Sequence, residues 1–275
     1  YGFYPIGQPD KLQKLDADAP QTYPFLAPLS CQAPGYFSAS YVPVPFAKSI
    51  RVVLEHAPGA LGMMYDLFYH RYPDGTAVTS YDPAALAKCE TEIKAVAQAW
   101  RRMGERPGAR PTDRVIAGTT NLPAGRSVDL LTLPGSGSVM GLRLRARPWH
   151  RAVDRLLVLR AWWDDETQPS VETPIGDFCA SHFGTRQSRA LPVGGGDAEG
   201  WYWCYLPMPF AAGARLSVEN LSVHSIAALD YQVIVRPGPV AAETGRFCAR
   251  WKRMKKMGDG GRYEMMNVTG AGKLI

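Results

Sequence analysis

The chain has 275 residues, enough for one large or two ordinary domains with full cores, and its 46% apolar and 20% charged content is that of folded globular material. No apolar run approaches the roughly 18 residues needed to span a bilayer, which excludes an integral membrane helix. The net charge of +6 is spread along the chain, with its densest run at Arg250, Lys252, Arg253, Lys255 and Lys256. Without a zinc-finger spacing, an RNP-like segment or a basic zipper, that run reads as a solvated rim or a contact with an acidic subunit face, not as a nucleic-acid site.

In chain order, the first strong element is Tyr41-Val-Pro-Val-Pro-Phe-Ala-Lys-Ser-Ile-Arg-Val-Val-Leu-Glu55. Its Pro-x-Pro-Phe start cannot occupy central ladder positions, because proline has no N–H to donate; it suits an edge or a strand entry. A helix is predicted over residues 83–103. Asp82 is placed as its N-cap, Pro83 at its first position, and Leu86, Ile93, Val96, Ala97, Trp100 and Met103 recur at helical spacing before Gly104. Gly108-Ala-Arg-Pro-Thr-Asp113 reads as a junction, dividing a first domain over residues 1–112 from a second over 113–275. Leu156-Leu-Val-Leu159 with Ala161-Trp-Trp163 is nearly continuous apolar, as a strand buried on both faces would be. In Ala214-Arg-Leu-Ser-Val-Glu219, residues 214, 216 and 218 share one face and 215, 217 and 219 the other.

These elements repeat. Tyr41, Pro43, Pro45, Phe46, Ala47, Arg51 and Glu55 match Tyr205, Pro207, Pro209, Phe210, Ala211, Arg215 and Glu219, each 164 positions on (205 minus 41). Pro5-Ile-Gly7 matches Pro174-Ile-Gly176, and Tyr65 and Tyr231 open similar strand-like runs. Matches in the same order over so long a period indicate a duplicated domain. Short strands punctuated by Gly and Pro make the expected fold all-β: a tandem (double) jelly-roll β-sandwich with one connecting helix. The strands that precede Pro174 in the second copy have no counterpart after Tyr1. The first copy is therefore expected to obtain them from a missing segment or a second chain.

Cys31, Cys89, Cys179, Cys204 and Cys248 are odd in number and scattered, with no Cys-x-x-Cys, which argues against a disulfide framework or a structural zinc site and leans toward a cytoplasmic compartment. The chemistry concentrates in Trp163-Asp-Asp-Glu-Thr-Gln-Pro-Ser-Val-Glu-Thr-Pro-Ile-Gly-Asp-Phe178. Asp164, Asp165, Glu166, Glu172 and Asp177 follow a buried strand, with Trp162 and Trp163 beside them. Carboxylates with aromatic platforms suit a sugar site. A solvated acidic loop and a Ca²⁺ site of clustered oxygens are the alternatives. No other cofactor is indicated. A lone histidine such as His182 is more often a hydrogen-bonded structural residue than a ligand.

The sequence resembles glycoside hydrolase family 172, which includes difructose dianhydride synthase/hydrolase and D-arabinofuranosidases. The resemblance rests on Trp163-Asp-Asp-Glu166, Pro169-Ser-Val-Glu172, Pro174-Ile-Gly-Asp-Phe178 and Cys204-Tyr-Leu-Pro-Met-Pro-Phe210, supported by Gly135-Ser-Gly137, Phe247-Cys-Ala-Arg-Trp251 and Val268-Thr-Gly-Ala-Gly-Lys273. It implies a jelly-roll pair per protomer, homotrimers or hexamers, a site at a subunit interface and a furanose-containing saccharide as substrate. The family's catalytic glutamates lie in Gly-Glu-Gly-Asp-like and Gly-Thr-Gly-Thr-Glu-Asp segments that occur nowhere in this chain and would fall beyond Ile275. No catalytic residue is therefore assigned. Trp163, Asp164, Asp165, Glu166, Glu172, Asp177 and His182 are expected to line the pocket or a subunit contact. A non-catalytic double jelly roll used for assembly or carbohydrate binding is the alternative.

Overall fold

A computed structural model describes residues 23–26, 29–33, 37–53, 66–102, 104–150, 153–181, 188–196, 199–253 and 263–273. The chain divides into two compact units, a smaller one over Pro9–Arg101 and a larger one built on Arg102–Ile275.

The larger unit is a β-sandwich. Its seven-stranded sheet comprises β3 (Arg114–Leu122), β5 (Gly137–Arg147), β8 (Ser188–Arg189), β9 (Val193–Gly195), β10 (Tyr202–Cys204), β11 (Met208–Phe210) and β13 (Ile226–Pro237). The order is β3-β13-β5-β10-β9-β8, with β11 also on β5. The five-stranded sheet runs β14 (Ala249–Arg250), β7 (Val171–Pro174), β6 (Leu157–Trp163), β12 (Gly213–Asn220), β4 (Ser127–Pro134). Every pairing is antiparallel except the short one between β14 and β7.

Alternation decides which side chains meet between the sheets. On β12, Ala214, Leu216 and Val218 are buried at 4%, 0% and 0% exposure, while Arg215 faces solvent. Ser217 is buried as well, next to a register shift against β4. On β6, Leu157, Leu159, Ala161 and Trp163 point into the core, and Arg160 and Trp162 are half-covered on the outer face. Opposite them, Val139, Leu142, Leu144, Leu229 and Val233 close the interior. Each such side chain contributes about 1.5–3 kcal/mol when fully buried. β10 and β11 both pair along β5, against Leu142–Leu144 and Gly137–Val139, and Pro207 separates them. The second Pro-x-Pro-Phe is thus a short strand at the end of a ladder.

A strap ahead of β3 packs on this unit. Gly104, at φ 94, ends the preceding helix, and its carbonyl accepts the Tyr205 hydroxyl at 2.8 Å. Asp113 is bound by Arg236, at 2.7 and 3.0 Å, and by Arg106.

In the smaller unit, β1 (Ser30–Ala33) and β2 (Phe37–Ser40) form an antiparallel hairpin, with the Ser30 and Ser40 hydroxyls 2.9 Å apart. Residues 41–53 bend at Ala47–Lys48 and join no ladder among the described residues; Tyr81 N–H on the Pro45 carbonyl and Ala47 N–H on Ser80 Oγ hold them. Asp82 caps the helix as expected, accepting the Ala84 N–H at 2.9 Å. The helix is not continuous: Pro83–Leu86 passes through a 3₁₀ turn at Ala87–Cys89 into Glu90–Arg101. Ala97 is its one buried residue among those described; Trp100 packs on Tyr41 with ring centres 5.3 Å apart. Pro5–Gly7, Glu55, Tyr65 and Met103 lie outside the described residues.

Candidate functional site

The acidic segment leaves β6 at Trp163 and returns as β7. Trp163 is fully buried, and its indole N–H donates to the Phe247 carbonyl at 2.6 Å. Trp163, expected to line the pocket or a subunit contact, packs its ring inside the sandwich and presents no exposed face. The strand's other face carries Trp162, whose ring lies 3.7 Å beneath the Arg215 guanidinium.

Asp164 turns the chain at φ 58, a left-handed conformation that aspartate tolerates better than most residues. Its Oδ1 accepts the Ala211 and Ala212 amides, both at 2.6 Å, and its Oδ2 accepts Arg246 Nε at 2.7 Å. Burial works against its charge, but the two amides and Arg246 outweigh burial and hold the carboxyl below the usual aspartate range. Glu166 accepts the Ser170 hydroxyl at 3.0 and 2.7 Å and the Trp163 amide at 3.3 Å. Glu172 bridges two guanidiniums, Arg160 at 2.9 Å and Arg250 at 2.8 Å. Arg160 also reaches Glu219 at 2.5 Å, so β7, β6 and β12 are tied across the outer face. Asp177 pairs with Arg155 at 3.4 Å. Asp165 is exposed and makes no hydrogen bond or ion pair among the described residues. His182 lies outside them.

Two of these carboxylates and the Trp163 indole hold one feature in place, the strap Thr244–Trp251. Arg246 is clamped by Asp164, Phe247 by the Trp163 indole, and Arg250 by Glu172. Phe247 also meets Phe178 edge to face, and Ala249 and Trp251 donate to the carbonyls of Ser170 and Glu172. Strap and acidic loop together enclose an open cleft of about 510 Å³, lined by Asp165–Ser170, Cys248 and Arg250. Arg246 is a contributor that the sequence pattern did not single out, and Arg250 was read there only within a basic run and the Phe247–Trp251 stretch. Their partners lie 82 and 78 residues away, and only sheet register brings them together.

A second polar system lies under the Ile175–Phe178 turn. Tyr202 donates to the buried Asp154 at 2.5 Å and accepts from Trp149 Nε1 at 2.8 Å. Burial, followed by the Asp154 carboxylate, pushes the Tyr202 phenol far above its ordinary value. Gly176 is required beside it, because a Cβ there would lie 2.8 Å from Asp154 Cβ and 2.4 Å from the Ser181 carbonyl. Burial also raises the thiols of Cys179, well above its usual value, and Cys204, to about 12, which makes both inert packing groups. Among the described residues no three His, Cys, Asp or Glu side chains are grouped to hold a metal ion. Nor is any helix there long and apolar enough to cross a membrane.

Two family models match the chain. The GH172 first beta-sandwich domain matches residues 10–89, and the GH172 domain-like model matches residues 112–233, which include the whole acidic loop but not the strap that packs on it. No match is found among curated proteins.

Proposed function

We propose, from a chain similar to glycoside hydrolase family 172 in both its matched stretches, that it is part of a glycoside hydrolase acting on fructofuranose or arabinofuranose linkages. The observation that carries the reading is the open cleft between the acidic loop and the strap, within and next to the matched stretch. Its lining of carboxylates, Gln168, Ser170 and Arg250 presents donors and acceptors of the kind that sugar hydroxyls need.

A retaining glycosidase uses two carboxyl groups about 5–5.5 Å apart, one as nucleophile and one as acid/base. Asp164, Glu166 and Glu172 do not suit those roles, because each already accepts two or more structural hydrogen bonds. They act as positioning residues that fix the loop and the strap. Asp165, Gln168 and Arg250 face the cleft and bind sugar. No residue of this chain is assigned a catalytic role, and the resemblance implies a site at a subunit contact in a homotrimer or hexamer.

The test is turnover of a panel of aryl furanosides and pyranosides by the assembled protein. Hydrolysis confined to fructofuranosides or arabinofuranosides supports the reading; hydrolysis of pyranosides alone overturns it. The engagement of three of the loop's carboxylates favours a second reading, a carbohydrate-binding or assembly protein without catalysis. That reading predicts furanoside binding with no turnover in any assembly state.

A further inference from the structure

The turn between β12 and β13, residues 221–225, presents apolar side chains to solvent: Leu221 is 54% exposed and Val223 86%. Its shape is fixed from below. Asn220 is fully buried, and its Nδ2 donates to the Leu122 and His224 carbonyls at 3.2 and 2.8 Å. Its Oδ1 accepts the Ser222 amide at 3.0 Å and the Ser222 hydroxyl at 2.6 Å. Ser222 is thereby held inward, and the aliphatic residues on either side of it project outward.

The neighbouring loop continues this surface. The Leu221 amide donates to the Leu156 carbonyl at 2.8 Å, and the His150 and His224 rings meet edge to face 4.9 Å apart. Leu156 and Trp149 are 37% and 36% exposed. The Trp149 indole N–H is already satisfied by the Tyr202 hydroxyl at 2.8 Å, so the exposed part of its ring is hydrocarbon. Charge at this end has one sign. Residues 123–126, 148–156 and 221–225 include three arginines and one carboxylate, Asp154, which is 1% exposed. Arg126 is exposed and has no ion pair among the described residues. Arg147, just before this loop, also turns outward, while the Asp230 that binds it is buried.

We propose that this end of the larger unit rests on an anionic lipid surface. Val223 and Leu221 enter the boundary between headgroups and acyl chains, Trp149 sits at the interface, and Arg126 and Arg147 meet lipid phosphates. Charge complementarity selects that occupant, because no carboxylate of these loops reaches solvent to repel an anionic headgroup. A twofold contact with a second copy through this end would set two basic surfaces against each other. The turn needs no ordering on contact, since Asn220 and Ser222 already hold it.

Cosedimentation of the 275-residue chain with vesicles tests this, on phosphatidylcholine alone and with about one-third phosphatidylglycerol, at about 0.1 M salt. Binding is expected on the anionic vesicles, with little on phosphatidylcholine alone. The double variant Leu221→Ser, Val223→Ser keeps the charge and should weaken binding roughly tenfold or more. Arg126→Gln should weaken it about fivefold. Both should melt like the wild type, because the replaced side chains face solvent. Absent binding to anionic vesicles, or equal binding by the double variant, would overturn the proposal. Absent binding together with capture by polyglutamate would instead assign the surface to an acidic protein. Absent binding together with self-association that the double variant loses would assign it to a contact between copies.

Discussion

Asp164 combines a left-handed backbone with three charge-assisted hydrogen bonds, and the two properties can be separated by substitution. Alanine removes every acceptor and strains at φ 58, so Asp164→Ala should lose about 1–3 kcal/mol of stability. Asn tolerates the backbone and its Oδ1 still accepts the Ala211 and Ala212 amides, but its NH2 cannot accept from Arg246, so that hydrogen bond goes with the charge. Asp164→Asn should therefore lose clearly less, as read from urea midpoints. Asp230 makes the pH prediction. Burial opposes its charge, but hydrogen bonds from Arg147, Thr119 and Arg145 outweigh burial and bring its pKa down to about 2. A carboxyl depressed by folding contributes stability that is complete above its unfolded value and lost as pH falls through the folded one. The larger unit should accordingly weaken between about pH 4 and pH 2. Asp230→Asn should be less stable at neutral pH and lose less between those limits, as thermal melts in acid would show.

At the scale of elements, the β9–β10 pair depends on a glycine. A Cβ at Gly194 would lie 2.2 Å from the Trp203 ring and 2.5 Å from the Ser188 carbonyl, backbone on one side and a packed indole on the other. Gly194→Ala should cost about 1–3 kcal/mol by overpacking and raise amide exchange along β8–β10, whereas Gly245→Ala, with open space around it and no left-handed backbone, should leave that exchange unchanged. Much at this scale was legible beforehand. The alternation of Ala214–Glu219, the apolar run through Trp163, the exclusion of Pro-x-Pro-Phe from ladder centres and the Asp82 cap are local signals, and the structure carries each of them. What alternation does not encode is the neighbour across the ladder. Glu172 reads as pocket lining or a subunit contact until register sets it against Arg160 on β6 and Arg250 on β14. Trp163 reads as a platform because an aromatic beside carboxylates does not reveal which face of the strand it takes. The 3₁₀ turn at Ala87–Cys89 was equally hidden, since no Gly or Pro marks it.

For the whole molecule, Trp251, Met265 and Val268 of the larger unit are exposed apolar side chains of the kind that subunit contacts cover. Light scattering at micromolar concentration should find the protein as a trimer or hexamer, burying well over the roughly 1,600 Å² of a standard interface. A well-folded 30.2 kDa monomer whose 164–177 loop is readily cleaved by protease would contradict that assembly. The central claim is that the cleft between the acidic loop and the strap binds furanose sugars while the loop's other carboxylates only hold its shape. Titration calorimetry with an arabinofuranose or fructofuranose oligosaccharide tests it most directly, on the wild type and on Asp165→Ala. The account predicts binding that Asp165→Ala weakens about tenfold, the loss of one charge-assisted hydrogen bond, with the melting temperature unchanged. Wild-type protein that binds no furanoside, or binds it equally well without the Asp165 carboxylate, would contradict it.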